Sequence, residues 1–176
     1  MHITTRKLTA AAVTGAAYAA LTMLLAPISY GAIQCRVSEV LCILPFFIPC
    51  TAWGLFVGCA IANLLSAAGI FDVVFGSLAT LAAALITAEI GRRGHDLGRK
   101  ILACLMPVLF NAVVVGAVIT SAYNGLNIFS HPAAFGLNAA QVGLGEAAVL
   151  FVIGLPMMYY LPGLKFFREF TIKLND

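Results

Sequence analysis

The chain has 176 residues, 62% of them hydrophobic and only 10% charged, with a formal net charge of +3. A water-soluble domain carries roughly 25% charged residues, so there is too little polar surface here to coat a globule in water, and the solvent for most of the chain is lipid. The basic residues fall in short clusters between apolar runs, which excludes nucleic acid as a partner and makes those clusters markers of membrane orientation.

In chain order, the basic N-terminus, 1–7, leads into an apolar run that ends at Pro27 with no soluble domain behind it. A run of about 20 apolar residues spans the hydrocarbon core, so 8–26 is read as a first membrane helix rather than a signal peptide. The apolar stretch 37–68 is too long for one helix and carries Pro45 and Pro49, which predicts a short second helix, 37–50, and a third, 52–68. A fourth helix is expected over 73–90. A fifth covers 101–123, with Pro107 inside it as a kink, and a sixth covers 137–161. The expected fold is all-α: a single polytopic membrane domain, 1–176, of six transmembrane helices.

Charge tests that count independently. With the N-terminus cytoplasmic, Arg6, Lys7, Arg92, Arg93, Arg99, Lys100, Lys165, Arg168 and Lys173 all fall inside, nine of the ten Lys and Arg residues. That is what the positive-inside rule requires. A single helix over 37–68 would force the 92–100 cluster outside. Both termini are therefore expected in the cytoplasm, and the exception is Arg36.

The acidic residues divide in two. Glu89, Asp96 and Glu169 stand three or four residues from basic neighbours and read as local surface pairs. Glu39, Asp72 and Glu146 have no such neighbour, apart from Arg36 for Glu39, and all three fall in the outer half of the six-helix arrangement. Charged groups inside a membrane segment are costly unless they meet each other, a ligand or water. Around Glu39 the short stretch 29–39 also places Gln34, Arg36 and Ser38. Asn63 lies in the outer half of helix three and Asn111 near the middle of helix five, and Asn124, Asn127, Ser130 and His131 lie in the loop before helix six. The inner halves of the helices are almost free of polar groups. The expectation is an outward-facing cavity closed below by apolar packing: a binding site rather than a conduction path, which needs polar lining through its full depth.

Other chemistry is thin. The five cysteines, Cys35, Cys42, Cys50, Cys59 and Cys104, show no metal-ligand spacing, and four lie in apolar runs where a thiol behaves as a small hydrophobe. The three histidines lie outside the helices, and no nucleophile–base constellation argues for an enzyme. No phosphate-binding loop is present, so any ATP must be hydrolysed by another subunit. Ala12, Ala16 and Ala20 form a small-residue stripe on helix one, with Gly15 and Ala19 beside it and Gly54 and Gly58 on helix three. Such stripes let helices approach closely, and two readings stay open: packing within the bundle, or docking onto a separate membrane partner.

The run from Tyr18 to Glu39, ending Gln-Cys-Arg-Val-Ser-Glu, and the run Asp72-Val-Val-Phe-Gly-Ser-Leu-Ala-Thr-Leu81 resemble the queuosine-precursor transporter (QueT) family. These are substrate-binding S-components of energy-coupling-factor transporters. The resemblance covers most of the chain and implies a six-helix S-component in a bacterial cytoplasmic membrane. It implies docking to a T-component through the alanine stripe, a pair of ATPases as further partners, and uptake of 7-aminomethyl-7-deazaguanine or a close relative. No cofactor is implied in this chain; ATP is used by the partner subunits.

The residues suit such a solute. Its N1–H and exocyclic amine form a donor pair for one carboxylate, its ammonium asks for another, and its carbonyl asks for a donor. Glu39, Asp72 and Glu146 are acceptors, Arg36 a cationic donor, and Gln34, Asn63 and Asn111 adaptable amides. Tyr30, Phe75 and Phe110 offer stacking faces. Several have a plainer reading: Arg36 and Glu39 neutralising each other, Asp72 capping helix four, Asn63 and Asn111 bridging helices. Glu146, about two turns inside a helix without a local cation, has none and is expected to face the ligand; it and Glu39 are the first candidates. The competing function is a structural or assembly subunit of a membrane complex that binds no solute.

Overall fold

The computed structural model describes residues 4–29 and 35–175. Among them every regular element is helical. Helix α1, Thr5–Leu24, is capped by Thr4, whose hydroxyl accepts the Lys7 N–H at 3.4 Å. It breaks at Leu25 and resumes as the single turn Ala26–Ser29. Helix α2, Val37–Phe46, is a 3₁₀ helix. Helix α3 is Thr51–Asn63, α4 is Asp72–Arg93, α5 is Leu97–Tyr123 and α6 is Pro132–Gly163. A last helix, α7, Lys165–Asn175, follows. Wide π turns open α4 (Asp72–Gly76), close α5 (Ile119–Tyr123) and interrupt α6 (Leu150–Gly154).

Four helices, α1, α4, α5 and α6, are long and apolar enough to cross a membrane, and α2 and α3 are shorter. The tighter winding of α2 rises about 2 Å per residue, so it reaches further than an α-helix of the same length. It is also the axis of the bundle, touching α1, α3, α4, α5 and α6. That position accounts for its almost complete burial.

Pairwise contacts fix the directions. Tyr18 meets Glu39 and Thr22 meets Ser38, so α1 and α2 are antiparallel. Gly54 abuts Ala11 and Gly58 abuts Gly15, so α1 and α3 run parallel. Arg36 meets Asp72 and Phe46 meets Gly91, which makes α2 and α4 parallel. Asn111 meets Glu146 and Cys104 meets Met158, making α5 and α6 antiparallel. Successive elements thus alternate in direction from α1 to α6. The start of α1, the end of α4 and the start of α5 share one end of the bundle, here called the basic end.

Several expected boundaries shift. Helix three was expected to run to 68 but stops at Asn63; a turn follows in which Gly69 takes a φ of +62°, a left-handed conformation that suits glycine. Helix six starts at Pro132, not at 137, because proline at the first helical turn needs no donor there. Helix α7 was not anticipated: Pro162 and Gly163 end α6, and the tail then winds again and buries Leu174. Glu89 bonds Arg92 at 3.5 Å and Arg93 at 3.1 Å, and Asp96 bonds Arg99, as the spacing predicts.

The small residues divide between the two open readings. A Cβ on Gly54 would lie 2.7 Å from the Ala11 carbonyl carbon, and one on Gly58 2.9 Å from that of Gly15, so α1 and α3 are in backbone contact. Ala12, Ala16 and Ala20 face the other way and are exposed. Lipid offers no hydrophobic force between spanning helices, so such close packing and buried polar contacts carry the assembly. Toward the basic end the core is apolar, built on Ile43, Phe46, Ile48, Cys104, Leu150 and Met158.

Candidate functional site

Above that apolar half, α2 to α6 bring the polar residues together. Arg36, Glu39, Asn63, Asp72, Asn111 and Glu146 are each no more than 3% exposed. Gln34 and Tyr30 lie outside the described residues.

The first group joins α2, α3 and α4. Arg36 Nη2 donates to Asp72 Oδ2 at 3.2 Å, and Asn63 Nδ2 donates to the Asp72 carbonyl at 2.9 Å. Asp72 makes no capping bond for α4; its carboxylate serves the guanidinium of Arg36 instead. Gly76, one turn on, leaves the space these groups need. A Cβ there would sit 2.6 Å from Asp72 Oδ1 and 2.9 Å from Asn63 Nδ2.

The second group holds Glu39. Tyr18 donates its hydroxyl to Oε1, and the Cys42 thiol donates to Oε2 at 2.9 Å. Glu39 therefore has partners on α1 and on its own helix, and the ion pair of Arg36 is with Asp72, which replaces the local Arg36–Glu39 pair weighed from the sequence. Beside them Thr22 and Ser38 share a hydrogen bond of 2.6 Å.

The third group joins α5 and α6. Asn111 Nδ2 donates to Glu146 Oε1 at 2.9 Å. Glu146 lies within electrostatic range of Glu39 and Arg36, so the three groups form one cluster with three carboxyl groups and one guanidinium.

Several acceptors of the cluster have no donor. Among the described residues, Asn63 Oδ1, Asp72 Oδ1, Asn111 Oδ1 and Glu146 Oε2 are buried without a hydrogen-bond partner. Each such group costs about 1–3 kcal/mol, and native proteins tolerate few. Four such acceptors lie in one buried region, where a group rich in N–H would satisfy them.

Some expectations are not met. Asn124, Asn127, Ser130 and His131 are exposed, and Asn127 Oδ1 accepts the backbone N–H of Phe129 at 2.9 Å, stapling its own turn. Phe75 is exposed and stacked on Phe71 with ring centroids 6.5 Å apart, so it is turned outward, while Phe110 is half-buried. The residues of the cluster are themselves almost fully buried.

Sequence reasoning missed Tyr18, Thr22, Cys42, Cys59 and Thr80. Cys59 Sγ accepts from both Asn63 Nδ2 and Thr80 Oγ1 at 3.4 Å. The available signal was on α1: Tyr18 and Thr22 stand one turn apart on the face away from the alanine stripe, where a buried hydroxyl needs a partner.

The family model of the QueT transporter matches residues 8–162, which includes all of these groups. No curated protein and no solved structure matches the chain. A match over that span, on an all-helical bundle with four long apolar helices, settles the family: the chain belongs to the QueT transporters, and its role is membrane transport.

Proposed function

We propose that the chain is the substrate-binding S-component of an energy-coupling-factor importer, capturing a queuosine precursor from outside the cell. The observation that carries this reading is the set of buried acceptors without donors: Asp72 Oδ1, Glu146 Oε2 and the amide oxygens of Asn63 and Asn111. A guanine-like base with an aminomethyl arm brings N1–H, an exocyclic amine, the pyrrole N–H and an ammonium. An anionic vitamin brings too few donors and the wrong charge for a cluster of three carboxyl groups and one guanidinium. Glu146 and Glu39 are the carboxylates assigned to the ligand, Asp72 with Arg36 the frame that orients it, and Gln34 belongs to the same stretch as Arg36.

In this reading all six elements α1 to α6 cross the bilayer, both termini are cytoplasmic, and the alternation of direction supports the count. The exposed Ala12–Ala16–Ala20 stripe is the face for a T-component, which couples the subunit to two ATPases. The setting is a bacterial cytoplasmic membrane.

Calorimetric titration of the purified subunit with 7-aminomethyl-7-deazaguanine, guanine and 7-cyano-7-deazaguanine tests the substrate class. The aminomethyl compound is expected to bind tightly, and Glu146→Gln or Glu39→Gln to weaken it by about tenfold or more, as loss of a charge-assisted bond implies. Silence from all three compounds with a folded protein would overturn the substrate assignment.

A further inference from the structure

At the basic end, away from the polar cluster, three recesses adjoin one another and share lining residues. One of about 420 Å³ is walled by Phe46, Phe47 and Leu174 and edged by Lys7, Arg92 and His95. A second, about 370 Å³, is bordered by Arg6, Lys7 and Lys173. The third, about 670 Å³, is an apolar groove between α1, the end of α2 and α7, with Val13, Leu44, Ile48, Phe166 and Phe170 along it. Lys7 belongs to the first two recesses, Leu174 to the first and third, and Arg6 and Lys173 to the second and third.

The three recesses are therefore neighbours. Four full cations, Arg6, Lys7, Arg92 and Lys173, from the start of α1, the end of α4 and the end of α7, line them beside a hydrocarbon-lined groove. No carboxylate among the described residues lines any of the three recesses. Glu89, which bonds Arg92, stands outside them. Cations gathered from three distant stretches repel one another unless an anion lies between them. Helix α7 builds the groove wall: Phe166 and Phe170 stack with centroids 6.0 Å apart, Phe167 packs edge-on against Phe47 at 5.5 Å, and Leu174 is buried beneath. His95 is held at the rim between Phe46, 5.2 Å away, and Phe47, 6.0 Å away.

An anion with a hydrocarbon tail fits both halves; a soluble anion fits one. We propose that these adjoining recesses together bind an anionic phospholipid, its phosphate among Lys7, Arg92 and Lys173 and an acyl chain along the groove past Val13, Leu44 and Phe170. Basic pockets at the water-facing ends of membrane helices are suited to lipid headgroups by charge and position. Bound there, the lipid ties α7 to α1 and to the α4–α5 turn. This inference is independent of the solute assigned to the polar cluster.

The test uses the full chain, purified in a neutral detergent and exchanged with dioleoyl-phosphatidylglycerol, dioleoyl-phosphatidylcholine or inorganic phosphate. Retained lipid is counted by native mass spectrometry and the melting temperature is read in parallel. Phosphatidylglycerol is expected to be retained about tenfold more than phosphatidylcholine and to raise the melting temperature, while inorganic phosphate does neither. The triple variant Lys7→Gln/Arg92→Gln/Lys173→Gln and the groove-filling Val13→Trp each lose that retention, and Arg93→Gln, which lines none of the recesses, keeps it. Val13 is 63% exposed, so its variant keeps the test decisive if the triple variant does not fold. Equal retention of the two lipids overturns the proposal, as does unchanged retention in either variant. Displacement of the lipid by inorganic phosphate, with Val13→Trp still binding, assigns a site for a free anion and overturns it as well.

Discussion

At the scale of single residues, the informative contrast is between the two carboxylates assigned to the solute. Glu39 is fully bonded within the protein, by the Tyr18 hydroxyl and the Cys42 thiol, whereas Glu146 has one oxygen on Asn111 and one without a partner among the described residues. Glu146 is therefore the group with most to gain from a ligand donor, and Glu39 the one that must exchange a protein bond for it. Tyr18→Phe removes one of the Glu39 bonds without changing the ring. It is expected to lower the stability of the ligand-free subunit by about 1–3 kcal/mol, the cost of leaving a buried acceptor unpaired. Thermal melting in detergent checks this; an unchanged melting temperature would mean that the bond contributes nothing to the fold. That Glu39, Asp72 and Glu146 stand apart from the surface pairs was legible from charge alone in an apolar chain, and all three are buried. Their actual partners were not, because Tyr18 lies 21 residues from Glu39 and Arg36 lies 36 residues from Asp72.

At the scale of elements, the small residues of α1 divide between a packed face and an exposed one. Gly15 packs against Gly54 and Gly58 in backbone contact with α3, while Ala12, Ala16 and Ala20 are exposed. Two substitutions are expected to separate the two faces. Gly54→Ala forces α1 and α3 apart and is expected to cost about 1–3 kcal/mol, seen as a lower melting temperature of the isolated subunit. Ala16→Leu should leave that melting temperature unchanged and instead reduce co-purification with the T-component. A large loss of stability in Ala16→Leu, with the complex intact, would sink the docking role of the stripe. The proline-broken run 37–68 was legible as two elements. That the first of them is a 3₁₀ helix on the bundle axis was not, because only its five packing neighbours reveal that it is central.

At the scale of the whole molecule, the alternating directions of α1 to α6 put the cations of Arg6, Lys7 and Arg92 at one end and the polar cluster nearer the other, with an apolar layer between. Such a layer blocks a continuous polar path; in the proposed reading the solute moves when the subunit reorients against its partner. Uptake of 7-aminomethyl-7-deazaguanine into vesicles is expected only when the T-component and ATPases are reconstituted with this chain and ATP is supplied. Robust uptake by the chain alone would refute an energy-coupling-factor mechanism.

By itself the sequence determined what depends on local composition. It set the lipid solvent, the helical class, the basic end, the local pairs at Glu89 and Asp96, and the short list of buried charges. These follow from hydropathy and from spacing within a turn or two of helix. Only the tertiary structure decided which charge meets which, which small residues are packed and which exposed, and that the tail returns as α7 to complete a recess with α1 and α4. Those outcomes depend on helix rotation and on contacts between segments far apart in the chain, and a period of 3.6 residues read along one segment carries no information about either.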